Sequence, residues 1–281
     1  MRTLIAIPVF NEARYLTSVL RAVRTQLDAF TRAHPAASAD IVVVDDGSTD
    51  ATPALLTAAA REHPLAILRH DHNRGYGASL IAAFAYASRH EYDWALTMDC
   101  DEQHEPRRLP LFFDRQLAAD ASGADIISGT RYAASSNYSG VAHFADMNAT
   151  LTPPSVPPAD RRAINLAVTA EVNERLGFEP PLTDTFCGYK SHRVSALAQL
   201  DLTETGYAFP MQLWAQVAAM NLRVEELPVD LIYKDLSRTF GPALSDPAAR
   251  LKHYRCVLHR EIARLRHRLP AHASAVLGAC D

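Results

Sequence analysis

No part of this 281-residue chain approaches the eighteen or so consecutive apolar residues that a membrane span requires; the most apolar helical stretch, GASLIAAFAYA at 77–87, falls far short. The chain is therefore expected not to cross a bilayer. The N-terminus, MRTLIAIPVF, has one basic residue and a brief apolar run that stops at Asn11 and Glu12, so it lacks the length and cleavage site of a secretory leader and reads as a first strand. A basic excess is missing too. The formal net charge of −4 gives no general attraction to nucleic acid. Cysteine is scarce: Cys100, Cys187, Cys256 and Cys280 lie far apart with no C-x-x-C pair, which suggests neither a zinc cage nor a disulfide framework and makes a reducing cytosol the expected setting. Glycine-rich phosphate loops are absent. Gly75-Tyr76-Gly77 supplies two of the three glycines of a dinucleotide fingerprint but sits after the third strand-like run, and no G-x-x-x-x-G-K-[ST] occurs. There is no repeat at solenoid periods. What is present is a hydrophobic fraction of 48%, ample for a folded core.

Strand-like runs at 4–9, 41–44, 65–68, 94–98 and 126–128 alternate with helical patterns, the signature of an α/β fold with a mostly parallel sheet flanked by helices. The first helix has an apolar stripe at three-and-four spacing, Leu16, Val19, Leu20, Val23, Leu27 and Phe30, with Asn11 as the expected cap. Pro53 and Pro106 mark later helix starts. Residues 133–158 are rich in Ser, Ala, Asn and Pro without sustained periodicity, and read as a long flexible loop, either a lid or a plain insertion. Helices follow near 161–176 and 209–220, then a strand in LRVEELPVDLIY and a final helix near 248–269.

Every suggestive polar cluster in the first half follows a strand: IPVFNE (7–12), VDDGSTD (44–50), HDHNRGYG (70–77) and MDCDEQHEP (98–106). Ligands of open α/β sheets bind beyond the carboxyl ends of the parallel strands, so one crevice collects all four. Asp99 and Asp101 are two residues apart, which on an extended chain points both carboxylates one way and turns Cys100 inward. Two like charges in one small site call for a hard cation, and Mg²⁺ or Mn²⁺ takes one or two carboxylates together with water and substrate phosphate. With no glycine cradle, such an ion is the natural neutraliser of a diphosphate. His70, His72 and His104 lie near these acids, but the soft, closed ligand set of zinc is missing.

Taken in order, IPVFNE, VVVDDGSTDAT, NRGYGASL, MDCDEQHEP, DIISGTRY, DTFCGYK and GYAFPMQLWAQVAAMNLRVEELPV resemble glycosyltransferase family 2, and within it the dolichol- or polyprenyl-phosphate sugar synthases, over about residues 4–238. The resemblance implies a GT-A fold over 1–240, followed by a helical extension over 241–281. It implies a nucleotide-sugar donor, GDP- or UDP-hexose, and inverting transfer of mannose or glucose with Mg²⁺ or Mn²⁺. The implied donor-binding set comprises Pro8, Phe10, Asn11, Glu12, Asp45, Asp46, Gly75, Asp99, Lys190 and Arg238, and the metal set Asp99, Asp101 and Gln103. Arg131, at the end of the fifth strand, is the first basic candidate to meet negative charge in the reaction.

The acceptor decides whether a base is needed. A hydroxyl needs a carboxylate within reach, and Asp184 in TDTFCGYK is the candidate; a phosphate monoester is already anionic and needs positioning. The DTFCGYK segment resembles the corresponding one in the family's lipid-phosphate enzymes, and that resemblance favours a lipid-phosphate acceptor. The SRTFGPALSD segment departs from the family pattern by keeping Arg238 and Gly241 without the usual Ser-Lys, which puts acceptor recognition in question. The final helix has Leu251, Tyr254, Leu258, Ile262 and Leu265 on one side and a basic opposite face, suited either to packing on its own domain or to peripheral contact with an anionic membrane. Three alternatives stand beside the lipid-phosphate transferase: transfer to a soluble or glycan hydroxyl with Asp184 as base, a sugar-nucleotide-binding relative without catalysis, and a sugar-1-phosphate nucleotidyltransferase. The last would want a glycine-rich loop where PVFNEARY has none.

Overall fold

The computed structural model describes residues 1–132, 157–230, 232, 241 and 244–278. Most of the predicted loop, 133–156, and Arg238 lie outside the described residues. The strands are β1 (Arg2–Val9), β2 (Ser38–Asp45), β3 (Ala66–Arg69), β4 (Trp94–Thr97), β5 (Ile126–Thr130), β6 (Lys190–Arg193) and β7 (Val224–Pro228). They form a seven-stranded sheet in the order β3-β2-β1-β4-β6-β5-β7. Only β6 among these strands runs antiparallel, hydrogen-bonded between β4 and β5. The sequence reading missed it. KSHR is short and polar, and only insertion between two apolar strands makes it buried sheet.

The helices are α1 (Leu16–Ala33), α2 (Thr52–Glu62), α3 (Tyr76–Arg89), α4 (Leu109–Ser122), α5 (Ala159–Leu176), α6 (Val194–Leu197), α7 (Phe209–Ala219) and α8 (Pro247–Leu265). Strand alternation divides the core in two. Leu4, Ala6, Val42 and Val44 face one layer, which α3, α5, α7 and α8 cover; Ile5, Ile7, Val9, Ile41 and Val43 face the other, which α1, α2 and α4 cover. The six-residue stripe of α1 is buried as its spacing predicts. Asn11, however, does not cap it. The helix begins at Leu16, and Asn11 has the left-handed φ of 57°, with its amide oxygen accepting the Thr49 and Asp50 N–H groups at 2.8 and 3.3 Å. The residue clamps the turn after β2 instead.

The C-terminal helix α8 is part of the domain core. Tyr254, Val257, Leu258, Ile262 and Leu265 are buried in the layer shared with α7. Its basic face is engaged as well: Arg250 pairs with Asp160, Arg255 with Glu171, Arg260 with Glu204, and Arg264 with Asp201 and Glu261. The apolar stripe that suited either a bilayer or a core serves the core. No helix among the described residues is long and apolar enough to cross a membrane. Cys256 on α8 is disulfide-bonded, which corrects the expectation that the cysteine spacing suggests no disulfide framework; Cys100 and Cys187 are free and buried. Spacing cannot reveal cysteines that the tertiary fold brings together, and the cysteine count no longer argues for a reducing compartment.

Candidate active site

A cavity of about 450 Å³ opens beyond the carboxyl ends of β1, β2, β4 and β5. The turn after β4 supplies its acids. Asp99 and Asp101 both line the cavity, with Gln103 beside them, while Cys100 between them is 2% exposed. The Asp99 N–H donates to His104 Nδ1 at 2.8 Å, which puts the ring proton on Nε2, 3.8 Å from Asp99 Oδ2. Burial holds the His104 pKa down to about 4, so the imidazole is neutral and acts as a fixed acceptor for the turn. Asp101 Oδ1 accepts the Gln103 N–H at 3.1 Å. Tyr76, at the start of α3, gives its phenol hydrogen bond to Asp99; burial first, then that carboxylate, pushes its pKa well above the ordinary value. Gly188 faces the same group. A Cβ there would lie 2.7 Å from the Tyr76 oxygen and 3.1 Å from Asp99 Oδ2, so only glycine leaves this space open.

The donor set fits a hard divalent ion. Two carboxylates and an amide offer oxygen ligands around space that a Cβ at position 188 would fill. Among the described residues no three His, Cys, Asp or Glu side chains are grouped as a metal cage, so most of the shell of an ion held here would fall to water and substrate phosphate.

Of the predicted donor-binding residues, Pro8, Phe10, Glu12, Asp46 and Gly75 line the cavity together with Asp99. Asp46 orders the neighbouring loop: its carboxylate accepts the Arg74 and Gly75 N–H groups at 2.9 and 2.8 Å and meets His70 Nδ1 at 2.6 Å. Gly75 has φ 103°, and a Cβ there would come within 2.4 Å of the Thr205 carbonyl oxygen. Asn11 and Asp45 do not line the cavity. Asp45 is fully buried, accepting the Ser48 N–H at 2.8 Å and lying 3.4 Å from Arg69 Nε, so it holds the loop that presents Asp46.

Two basic predictions separate in the same way. Arg131 lines the cavity at the end of β5. Lys190 does not; it is buried in β6, with its ammonium on the Cys187 carbonyl and 5.3 Å from the Trp214 ring centre, and burial lowers its pKa. A buried ammonium in this position stabilises the turn before β6 and is out of reach of a ligand. Asp184 also departs from expectation. Its side chain is fully buried and accepts from Arg131 Nε at 2.6 Å, Arg131 Nη2 at 2.9 Å, and the backbone N–H groups of Arg131, Phe186 and Cys187 at 3.1 Å each. Burial works to raise its pKa, but the guanidinium charge and these bonds together outweigh burial and hold it below the usual carboxylate range. Glu226 on β7 steadies the arrangement from behind, accepting the Thr183 and Asp184 N–H groups at 2.9–3.1 Å.

The far wall was not legible in the sequence. Arg161, Ile164 and Asn165 of α5, Tyr207 before α7, and Arg250 and Tyr254 of α8 all line the cavity. Aromatic rings join the two sides: Tyr76 stacks on Tyr207 at 6.1 Å, and Phe186 meets Tyr254 at 4.9 Å. Burial moves the Tyr254 phenol up to about 12. The cavity lining thus combines carboxylates that follow β1, β2 and β4 with guanidinium groups from the end of β5, from α5 and from α8.

The comparisons agree with this architecture. The family model described as "Glycosyl transferase family 2" matches residues 4–164. An undecaprenyl-phosphate mannosyltransferase of Micrococcus luteus is 26% identical over 243 residues, covering 85% of this chain and 87% of the relative. A polyprenol monophosphomannose synthase of Mycolicibacterium smegmatis is 28% identical over 240 residues, covering 84% and 79%. Among solved structures, glucosyl-3-phosphoglycerate synthase of Mycobacterium tuberculosis, in complex with Mn²⁺, uridine diphosphate and glucosyl-3-phosphoglycerate, superposes with a TM-score of 0.59 at 15% identity, over 95% of this chain and 79% of that one. With the parallel sheet and the strand-end cavity in place, the chain belongs to glycosyl transferase family 2, has the GT-A fold, and is a glycosyltransferase.

Proposed function

We propose that the protein transfers a hexose, mannose or glucose, from a GDP- or UDP-sugar to a polyprenyl phosphate with inversion at the anomeric carbon, using Mg²⁺ or Mn²⁺. The observation that carries this is a single cavity lined both by the carboxylates of Asp99 and Asp101 and by the guanidinium groups of Arg131 and Arg161. The names of the two sequence relatives support the acceptor, since each acts on or makes a polyprenol phosphate derivative.

Asp99, Asp101 and Gln103 hold the metal, which when bound offsets the negative charge of the departing diphosphate. Pro8, Phe10, Glu12 and Asp46 border the nucleoside, and Gly75 lets the chain pass close by Thr205. An oxygen of the acceptor phosphate attacks C1 of the sugar while the C1–O bond to the diphosphate breaks, and the nucleoside diphosphate leaves with the electron pair. The acceptor oxygen is already anionic, so no proton is removed. Arg131 and Arg161 orient it, and Asp184 keeps the Arg131 guanidinium in one geometry. Transfer to a hydroxyl with Asp184 as base is disfavoured, because that carboxylate is enclosed and occupied by five donors. A polyprenyl acceptor brings the enzyme to the surface of the cytoplasmic membrane as a peripheral protein.

The test is a thermal-shift panel of nucleoside diphosphates with and without Mn²⁺, followed by transfer from labelled GDP-mannose and UDP-glucose to polyprenyl phosphate. A metal-dependent shift with one nucleotide and product on the lipid phosphate are expected. Transfer restricted to hydroxyl acceptors, or nucleotide binding with no transfer at all, defeats the proposal.

A further inference from the structure

The C-terminal helix begins with Asp246, whose carboxylate accepts the Ala249 N–H at 2.7 Å and fixes the first turn. Arg250 and Tyr254 then fall four residues apart on one face of α8, and that face borders the cavity. Both are only 3% exposed. The Arg250 guanidinium donates to Asp160 Oδ2 at 2.5 Å and to the Leu244 carbonyl at 3.0 Å. Because Asp160 directly precedes Arg161, this tie locks the start of α5 to α8 where both helices meet the cavity.

A buried guanidinium is a costly way to join two helices, since well-packed apolar residues serve as well or better. Placed on a cavity wall, it has a second use. A planar fork of N–H donors suits a phosphate, and Arg161 of the adjoining helix lines the same cavity. Tyr254 and Phe186 stand beside it with rings 4.9 Å apart and offer apolar surface next to the charge.

We infer that α8 completes the acceptor site: Arg250 joins Arg161 in binding a phosphomonoester, and Tyr254 with Phe186 packs against the first carbons of the esterified alcohol. This rests on the proposed transfer to a phosphate acceptor and assigns a substrate-binding role to the segment beyond residue 240. The same chemistry fits a lipid phosphate or a soluble one, and the experiment separates them.

Steady-state kinetics of the full chain are compared for wild type, Arg250→Gln and Arg250→Lys, with three acceptors: a long polyprenyl phosphate in neutral vesicles, a water-soluble short prenyl phosphate, and glycerol 3-phosphate. For whichever acceptor the wild type uses, Arg250→Gln raises the acceptor KM by roughly 10- to 100-fold, far more than the donor KM, as loss of a charge-assisted pair implies. Arg250→Lys recovers part of that loss. A preference for both prenyl phosphates over glycerol 3-phosphate identifies the lipid source; the reverse identifies the soluble one. Equal increases in both KM values, or an unchanged acceptor KM in a folded variant, overturn the subsite. If Arg250→Gln does not fold, competition by inorganic phosphate decides: its inhibition constant against the acceptor rises at least about fivefold in Arg250→Lys, and an unchanged constant overturns the inference. Wild-type protein that transfers to none of the three acceptors defeats the proposed function as well, whereas transfer with unaltered acceptor kinetics in the variants defeats only the role of α8.

Discussion

Replacing Asp184 by Asn separates a catalytic base from a residue that positions another. The native carboxylate is fully buried and takes three bonds from Arg131 and two from the backbone of Phe186 and Cys187. In the Asp184→Asn variant one oxygen becomes an NH₂ group facing the donors of Arg131, and the guanidinium, only 13% exposed, loses its counter-charge. Breaking one side of a buried pair costs about 3–5 kcal/mol, which for a chain of this size lowers the melting temperature by roughly 10 °C. The pH dependence follows from the depressed pKa of Asp184. A carboxyl whose folded pKa is lowered stabilises the fold above its unfolded value, about 4, and that stabilisation is lost as pH falls through the folded value. The gap between wild type and variant is therefore full at pH 7 and narrows below about pH 4. Melting curves at several pH values measure it. Transfer assays on the same proteins show a raised acceptor KM and reduced turnover, because Arg131 is no longer held, while the acid limb of the pH–rate profile persists. If the variant melts like wild type and loses turnover by roughly 10²–10⁴-fold together with that acid limb, Asp184 is the base and the positioning account is wrong.

Three further outcomes follow from the structure. Asp101→Asn abolishes the Mn²⁺-dependent part of nucleotide stabilisation, the whole of which in wild type is about 2.7 kcal/mol at a ligand concentration about 100 times Kd; an unchanged thermal shift with Mn²⁺ and nucleotide removes Asp101 from the metal site. Gly188→Ala drives a methyl to 2.7 Å from the Tyr76 oxygen, and displacing Tyr76 from Asp99 costs about 1–3 kcal/mol of stability and more than about tenfold in turnover, so wild-type kinetics in this variant contradict the described packing. His104 and His192 have pKa values lowered by burial to about 4 and about 3, so between those values and the ordinary 6.5 the unfolded chain binds more protons than the folded one. Stability then rises with pH through that window by about 1.4 kcal/mol per pH unit for each histidine, and His192→Asn flattens the slope by one such increment in denaturant titrations at about pH 4–6.5.

The strand and helix order was legible because burial has a period. The α1 stripe alternates at three and four, and IVVV in β2 reads as a strand covered on both faces. The acid pair was legible because Asp99 and Asp101 follow a strand end, where the fold class already directs ligands. Short polar β6 carried no such period, and the pairing of Cys256 depends on distances that spacing does not encode. Among the basic residues, sequence made Arg131 the first candidate for a phosphate contact and Lys190 a further one. The tertiary structure separated them, because β5 ends at the cavity while β6 enters the sheet and buries its lysine against Trp214.

Local chemistry in the sequence therefore determined the alternation of strands and helices and the acids at the strand ends, since both are written within single strand–loop units. The guanidinium wall is a different matter. Arg131, Arg161 and Arg250 come from three elements separated by long stretches of chain, and only the packing of α5 and α8 over the sheet brings them to one cavity. The surroundings of Asp184 were likewise set in three dimensions, because the donors that enclose its carboxylate come both from the end of β5 and from the turn before β6.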